Sequence, residues 1–413
     1  MVFFWDGGRF CPRLRRYGLL ISPSTPVTPR AYVTVRPLPL GTRMAQSDGV
    51  AWMKAALSRV AETQPTPDLD RALRFYDLLA RQATIDSRVT CLDDYTHQDW
   101  DRMRVHTAPL SGDGQEAPEA PHAWFRAPLD GRMAVFAETA LDVARQAFAD
   151  DTDAPDLLVQ VSCTGYDSPN AVQHVAAEHG WTDGTRVLSL GHMGCYAAVP
   201  ALATAADAVA AQAVRTGENA DAAVLLVELC TLHHDPATTD VEQIVQQCLF
   251  GDGAARMDVT SAPPDAPHFA LLDHAEGLLP DTLGEMSWRT ASPAFRMTLS
   301  RDVPKHIRKQ VGPFMEALLA RNGLTVDDVD AFAVHPGGPR VIESTAEALG
   351  LPDHKVTHSH AVLRERGNMS STTLPHIWAR LLADDSLPDG ALVASVAFGP
   401  GLTVVGNLMR KGA

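Results

Sequence analysis

Three side chains, each set among small residues, carry the chemistry available to this chain. They are Cys195 in SLGHMGCYAAVP, His335 in AVHPGGPR and Asn368 in RERGNMSSTT. Around Cys195 a strand-like run breaks at Gly191 and Gly194, and an Ala-rich helical stretch follows. A cysteine at a helix start feels the positive end of the helix dipole, which lowers its pKa and raises its thiolate fraction. Gly194, Ala197 and Ala198 leave room for a substrate. The same letters also fit a buried cysteine packed as a small hydrophobe. His335 ends an apolar run directly before Pro-Gly-Gly-Pro, a stiff turn with few side chains that lets a bulky ligand approach an imidazole. A capped strand end with an exposed histidine reads equally well there. Asn368 stands behind Gly367 and before Ser370 and Ser371, where an ordinary helix cap is the simpler account. Taken together, the three suit one reaction. A thiol nucleophile can hold an acyl group as a thioester, while an imidazole and an amide stabilise the oxyanion of the next step.

With LFGDGAA, HPGGP, GNMSS and FGPGLT following the Gly-Cys helix start, the chain resembles the type III polyketide synthases, the chalcone and stilbene synthase-like group. The resemblance runs from about Ala31 to the C-terminus. It implies an α/β thiolase fold, with two pseudo-equivalent βαβαβ-type lobes in a five-layered αβαβα body, and a homodimer. It makes Cys195 the acyl carrier. It makes His335 the partner of the thiolate and, with Asn368, the group that positions a malonyl thioester and stabilises its enolate. Malonyl-CoA and acyl thioesters enter as substrates, with no cofactor or metal. Phe250 matches one gatekeeper of the substrate tunnel, and Met297 replaces the phenylalanine of the second. Cys163 and Cys230 occupy cavity-wall positions that are threonine in plant relatives, His233 also differs, and Ser370 lies beside Asn368. Ser168 falls where plant relatives carry a methionine that reaches the partner subunit. This pattern of small and pliant residues favours a fatty acyl starter. Cations that grip CoA phosphates in those relatives are replaced by Phe75, Leu78 and Gln82. Arg74, Arg81 and Arg340 are the substitutes, which leaves an acyl-carrier protein open as donor. The related alternative is a ketosynthase that joins two carrier-bound β-keto chains into an α-pyrone. A Cys-His-Asn thiol hydrolase would share the residue types, and a non-catalytic partner subunit would not need all three.

Strands must hold these residues. Ala31–Arg36 alternates as a strand, and Leu157–Cys163, Arg186–Leu190 and Ala222–Glu228 are short apolar runs suited to a sheet buried on both faces. Helical patterning covers Gly49–Glu62, Asp68–Ala83, Asp130–Asp150, Pro169–Gly180 and Ala197–Arg215, and later Pro304–Asn322, Pro339–Leu349 and a stretch from about Met369. A strand is predicted at Ala331–Val334, and a hairpin over Ala391–Phe398 and Leu402–Met409. The segment Ser261–Pro267 divides an N-terminal lobe, 31–260, from a C-terminal one, 268–413. Residues 1–30 read as a disordered tail, and Pro109–Pro121 as a loop. Gly251-Asp252-Gly253 and Gly399-Pro400-Gly401 read as turns, since neither has the lysine of a phosphate loop. His233-His234-Asp235 lacks a second ligand cluster with zinc-like spacing.

Composition narrows the class. Of 413 residues, 45% are hydrophobic and 21% charged, which is globular and neither disordered nor fibrous. With 50 acids against 35 bases the net charge is −15, which disfavours a nucleic-acid partner. Six scattered cysteines without a CxxC pair fit reduced thiols in a cytoplasm, and no apolar run is long enough for a membrane span.

Overall fold

The computed structural model describes residues 31–63, 65–81, 84–106, 128–291 and 294–412. The segment 1–30, the loop 109–121 and Gln82 lie outside the described residues.

The N-terminal half opens with β1 (Ala31–Leu38), β2 (Thr42–Ala45), α1 (Gln46–Thr63), α2 (Leu69–Arg81) and β3 (Ser87–Thr90). It continues with α3 (Leu129–Ala147), β4 (Leu157–Ser162), α4 (Ala171–Glu178), β5 (Arg186–Gly191) and α5 (Ala198–Thr216). It closes with β6 (Asp221–Glu228), α6 (Val241–Leu249) and β7 (Gly253–Thr260). After the proline-rich 261–267 segment come β8 (His268–Leu278), β9 (Met286–Arg289), β10 (Arg296–Leu299), α7 (Val303–Ala320) and β11 (Ala331–Val334). Then follow α8 (Pro339–Leu349), α9 (Thr357–Arg366), α10 (Thr373–Leu382), β12 (Leu392–Gly399) and β13 (Thr403–Gly412).

Strand order reveals an internal repeat. In the first half β5, β4 and β6 run parallel, and β7 and then β1 continue antiparallel. In the second half β11 and β12 are parallel, and β13 and β8 continue antiparallel. The halves meet edge to edge over three residue pairs, Ala31↔Leu271, Tyr32↔Ala270 and Val33↔Phe269. The sequence β1-α3-β4-α4-α5-β6-β7 thus recurs as β8-α7-β11-α8-α10-β12-β13.

Alternation within each strand assigns the layers, because successive side chains leave opposite faces. Val159 of β4 and Val224 of β6 face an inner core with α5 and α10, whereas Leu158 and Leu225 face an outer core with α3 and α4. In the other half Ala333 and Val393 turn inward, while Phe332 and Ala394 meet α7 and α8 outside. Helix, sheet, helix pair, sheet, helix is the αβαβα thiolase order. The inner helix α5 is alanine-rich because small side chains let it sit close between the two halves of the nine-stranded sheet. Two expectations shift. The stretch from Met369 begins as a 3-10 turn, Ser370–Thr372, before α10, and β2, β3, β7, β8, β9, β10, α6 and α9 appear where no element was predicted.

Candidate active site

The parallel strands end on one edge, and the chemistry-bearing residues gather there. Cys163 follows β4, Cys195 lies between β5 and α5, Glu228 ends β6, and His335 follows β11. The β12–β13 turn closes the edge against Cys195. At Gly194, φ is +92°, and a Cβ would come 2.7 Å from Pro400 Cδ. At Gly399 a Cβ would sit 2.1 Å from the Tyr196 ring. Glycine is required at both positions for the two halves to touch.

Cys195 is buried, with 8% of its surface exposed. Its Sγ lies 3.9 Å from Asn368 Nδ2. Burial pushes the thiol up to about 12; Ser370 and Asn368 pull it down in part, and the Glu228 carboxyl pushes it up. This corrects the expectation that a helix start lowers its pKa. The regular helix α5 begins only at Ala198, and desolvation is the largest influence on the thiol.

His335 is held by its backbone, whose N–H donates to Val396 O at 2.9 Å. The side chain is buried and both ring nitrogens lack a partner. Burial pushes its pKa down to about 3, so the free imidazole is neutral. Asn368 uses both ends of its amide. Oδ1 accepts from Ser370 N at 2.9 Å, and Nδ2 is left facing Cys195; the residue that caps the Ser370–Thr372 turn is Met369, not Asn368 as the sequence suggested. Its backbone is pinned on both sides, with N–H donating to Leu249 O and O accepting from Gly251 N, each at 2.9 Å. Ser370 is consequently held at φ +52°, an uncommon conformation for serine.

Glu228 was not singled out in the sequence, although it is the lone acid ending an apolar strand, AAVLLVE. It is fully buried and accepts hydrogen bonds from Cys163 N at 3.1 Å, Thr164 Oγ1 at 2.8 Å and the Ser371 hydroxyl. Cys163 Sγ lies 3.2 Å from the same carboxyl and 2.9 Å from Ser370 Oγ. A polar row, Glu228–Cys163–Ser370, therefore leads towards Cys195. Burial raises the carboxyl pKa against these donors.

The cleft beside Cys195 encloses about 610 Å³, counted out to its open mouth. Cys163, Cys230, Phe250, Met297 and Ser370 line it, together with Met286, Trp288 and Phe295. The β9–β10 hairpin supplies much of this wall and is latched to the first half. Trp288 Nε1 donates to Cys163 O at 2.6 Å, and Gln243 Nε2 donates to Met297 O at 2.9 Å. Phe295 N donates to His233 Nδ1 at 3.1 Å, and its ring stacks on that imidazole at 4.3 Å. His233 is thus a clamp; its Nε2 lies 2.7 Å from Thr164 O. Ser168 is exposed and does not line the cleft. Arg340 is exposed on the first turn of α8, and Arg74 and Arg81 are exposed on α2. Phe75 packs against the N-terminal core, and Leu78 is exposed. Among the described residues no lysine or arginine lines the cleft.

Comparison with known proteins identifies the family. Residues 132–263 match "Chalcone and stilbene synthases, N-terminal domain", and residues 271–412 match the C-terminal domain of the same family. The chain belongs to the chalcone and stilbene synthase family, the type III polyketide synthases. It is 30% identical over 279 residues to a 1,3,6,8-tetrahydroxynaphthalene synthase of Streptomyces griseus, covering 66% of this chain and 72% of that one. It is 28% identical over 321 residues to an alpha-pyrone synthesis polyketide synthase-like protein of Mycobacterium tuberculosis, covering 75% and 80%. Among solved structures, PKS-I of the brown alga Ectocarpus siliculosus superposes with a TM-score of 0.76 at 25% identity, over 92% of this chain and 99% of that one. The fold is also that of 1,3,6,8-tetrahydroxynaphthalene synthase from Streptomyces coelicolor, with a TM-score of 0.70 at 23% identity over 94% and 99%. Among the described residues no helix is long and apolar enough to cross a membrane.

Proposed function

We propose that the protein condenses malonyl-CoA onto an acyl starter held on Cys195, and that the product is a pyrone or a resorcinol. The carrying observation is the Asn368 amide. Its oxygen is committed to the Ser370 N–H, so it offers only N–H donors towards Cys195. His335, with a neutral ring and two unpartnered nitrogens, completes the trio.

The steps follow from these groups. His335 takes the Cys195 proton, and the thiolate attacks the starter thioester and expels CoA thiolate. Malonyl-CoA then loses CO₂: the Cα–carboxylate bond breaks, its electron pair forms the enolate, and the oxyanion accepts hydrogen bonds from Asn368 and protonated His335. The enolate carbon attacks the acyl-Cys195 carbonyl, the C–S bond breaks, and the thiolate returns. Water is excluded by the burial of all three side chains.

A fatty acyl starter suits the wall of Met286, Trp288, Phe295 and Met297. In this reading these residues, rather than exposed Ser168, set its length. Each buried CH₂ contributes ~0.8 kcal/mol, about fourfold in kcat/KM. We further infer a homodimer that works from CoA thioesters, with Arg74, Arg81 and Arg340 as surface cations for CoA phosphates. The test is incubation with malonyl-CoA and an acyl-CoA series, with products read by mass. No condensed product, or an optimum at an aromatic starter, refutes the respective part. A strict requirement for carrier-protein donors refutes the CoA assignment.

A further inference from the structure

Arg88 stands in the buried strand β3, with 9% of its surface exposed, and does not line the cleft. Its guanidinium donates to neutral oxygens. Nε donates to Gln46 Oε1 at 2.7 Å, and Nη1 donates to Gln247 O and Phe250 O, each at 2.6 Å. These two carbonyls belong to the last turn and the C-cap of α6, where backbone acceptors have no partner within the helix and the dipole ends negative. Gln46 Nε2 donates to the carbonyl between them, Cys248 O, at 2.7 Å.

The same helix end carries Asn368. Phe250 and Asn368 form a parallel bridge, in which Asn368 N donates to Leu249 O and Gly251 N donates to Asn368 O. The aliphatic stem of Arg88 lies against the glycines on either side of this bridge. A Cβ at Gly367, where φ is +69°, would come 2.9 Å from Arg88 Cγ, and one at Gly251 would come 3.2 Å from Arg88 Cβ. The stem is therefore the floor beneath the 367–368 segment, and the guanidinium holds the helix end to which that segment is tied. Burying a cation is costly, and this one is buried where it reaches no reacting atom.

We propose that Arg88 is a positioning residue: by holding the C-terminal carbonyls of α6 it fixes the Asn368 backbone and keeps the amide nitrogen directed at Cys195. The catalytic consequence rests on the condensing reading of the cleft; the placing of the amide against the thiol does not.

A double-mutant cycle in the full chain tests the proposal. Asn368 pulls the Cys195 thiol pKa down, so removing or displacing its amide lowers the thiolate fraction and slows alkylation by iodoacetamide. Labelling of Cys195 is read by peptide mass at a fixed pH. One hydrogen bond predicts a slowing of about two- to tenfold in Asn368→Ala. Arg88→Met removes the donors and keeps most of the stem; it gives a slowing of the same size, and the double variant is no slower than either single one. Arg88→Lys keeps a cationic donor for the carbonyls, recovers part of the rate, and carries the cycle if Arg88→Met does not fold. In turnover, Arg88→Met lowers kcat for malonyl-CoA decarboxylation with little change in KM, and costs nothing further once Asn368 is alanine. Equal slowing by Arg88→Met with and without the Asn368 amide, or no gain of Arg88→Lys over Arg88→Met, overturns the proposal. A non-additive labelling cycle in a protein that does not decarboxylate malonyl-CoA upholds the role of Arg88 and overturns the condensing reading instead.

Discussion

Replacing His335 by alanine tests where the Cys195 thiolate comes from. Burial, with the Glu228 carboxyl, pushes that thiol up to about 12, and the Ser370 and Asn368 donors offset this only in part. Without a base, about one thiol in 10⁴ is ionised at pH 8, whereas an ordinary thiol of pKa ~8.5 is ionised in about one in four. Alkylation of Cys195 in His335→Ala should thus run about 10³-fold slower than that of a free cysteine, and rise tenfold per pH unit from 7 to 10. In the proposed mechanism the proton moves to His335, the attraction within the ion pair offsets both shifts and the pair titrates as a unit, which gives a faster rate and a plateau near neutrality. The assay is iodoacetamide labelling against pH, with the modified peptide identified by mass. That identification matters because burial also raises the Cys163 and Cys230 thiols. Equal rates and equal pH slopes in the two proteins would remove His335 as the base.

Asn368→Ala should still acylate Cys195 but lose decarboxylation by about 10²- to 10³-fold, the usual effect of one oxyanion donor; loss of the acyl adduct in intact-protein mass spectra contradicts this. Glu228→Ala leaves Cys163 N–H and the Thr164 and Ser371 hydroxyls without their acceptor. A loss of at least ~3 kcal/mol in urea unfolding is expected, and a change below ~1 kcal/mol would show that water replaces the carboxyl. Acid should destabilise the protein, because burial pushes His233 and His335 down to about 3 and His376 to about 4. Their contribution is fully present above pH ~6.5 and fades as pH falls, since the unfolded chain takes protons the native state refuses. At pH 5 each costs about 2 kcal/mol, or about 6 kcal/mol for the three. Identical urea midpoints at pH 7 and pH 5 would contradict it.

Local chemistry was legible in the sequence. Glycine and proline beside Cys195, His335 and Asn368 have fixed conformational consequences, and the apolar runs of β4, β6 and β11 read directly as strands. Asn368 reads from the sequence as a helix cap, but the cap of the following turn is Met369, and the amide instead has its oxygen on Ser370 N–H and its nitrogen towards Cys195. What depends on distant partners was not. Cys163 meets Glu228 and Ser370 across 65 and 207 residues. The His233–Phe295 clamp spans 62. No local pattern encodes such pairings, so the polar row and the latched hairpin emerge only when the strands are laid side by side. The same reason governs Cys195. Its neighbours in the chain promised a lowered pKa from a helix start, while the surrounding layers removed water and pushed it the other way. Side-chain type and spacing singled out the groups proposed to carry the chemistry; their charge states and the shape of the cleft were decided by burial, a property of the whole fold.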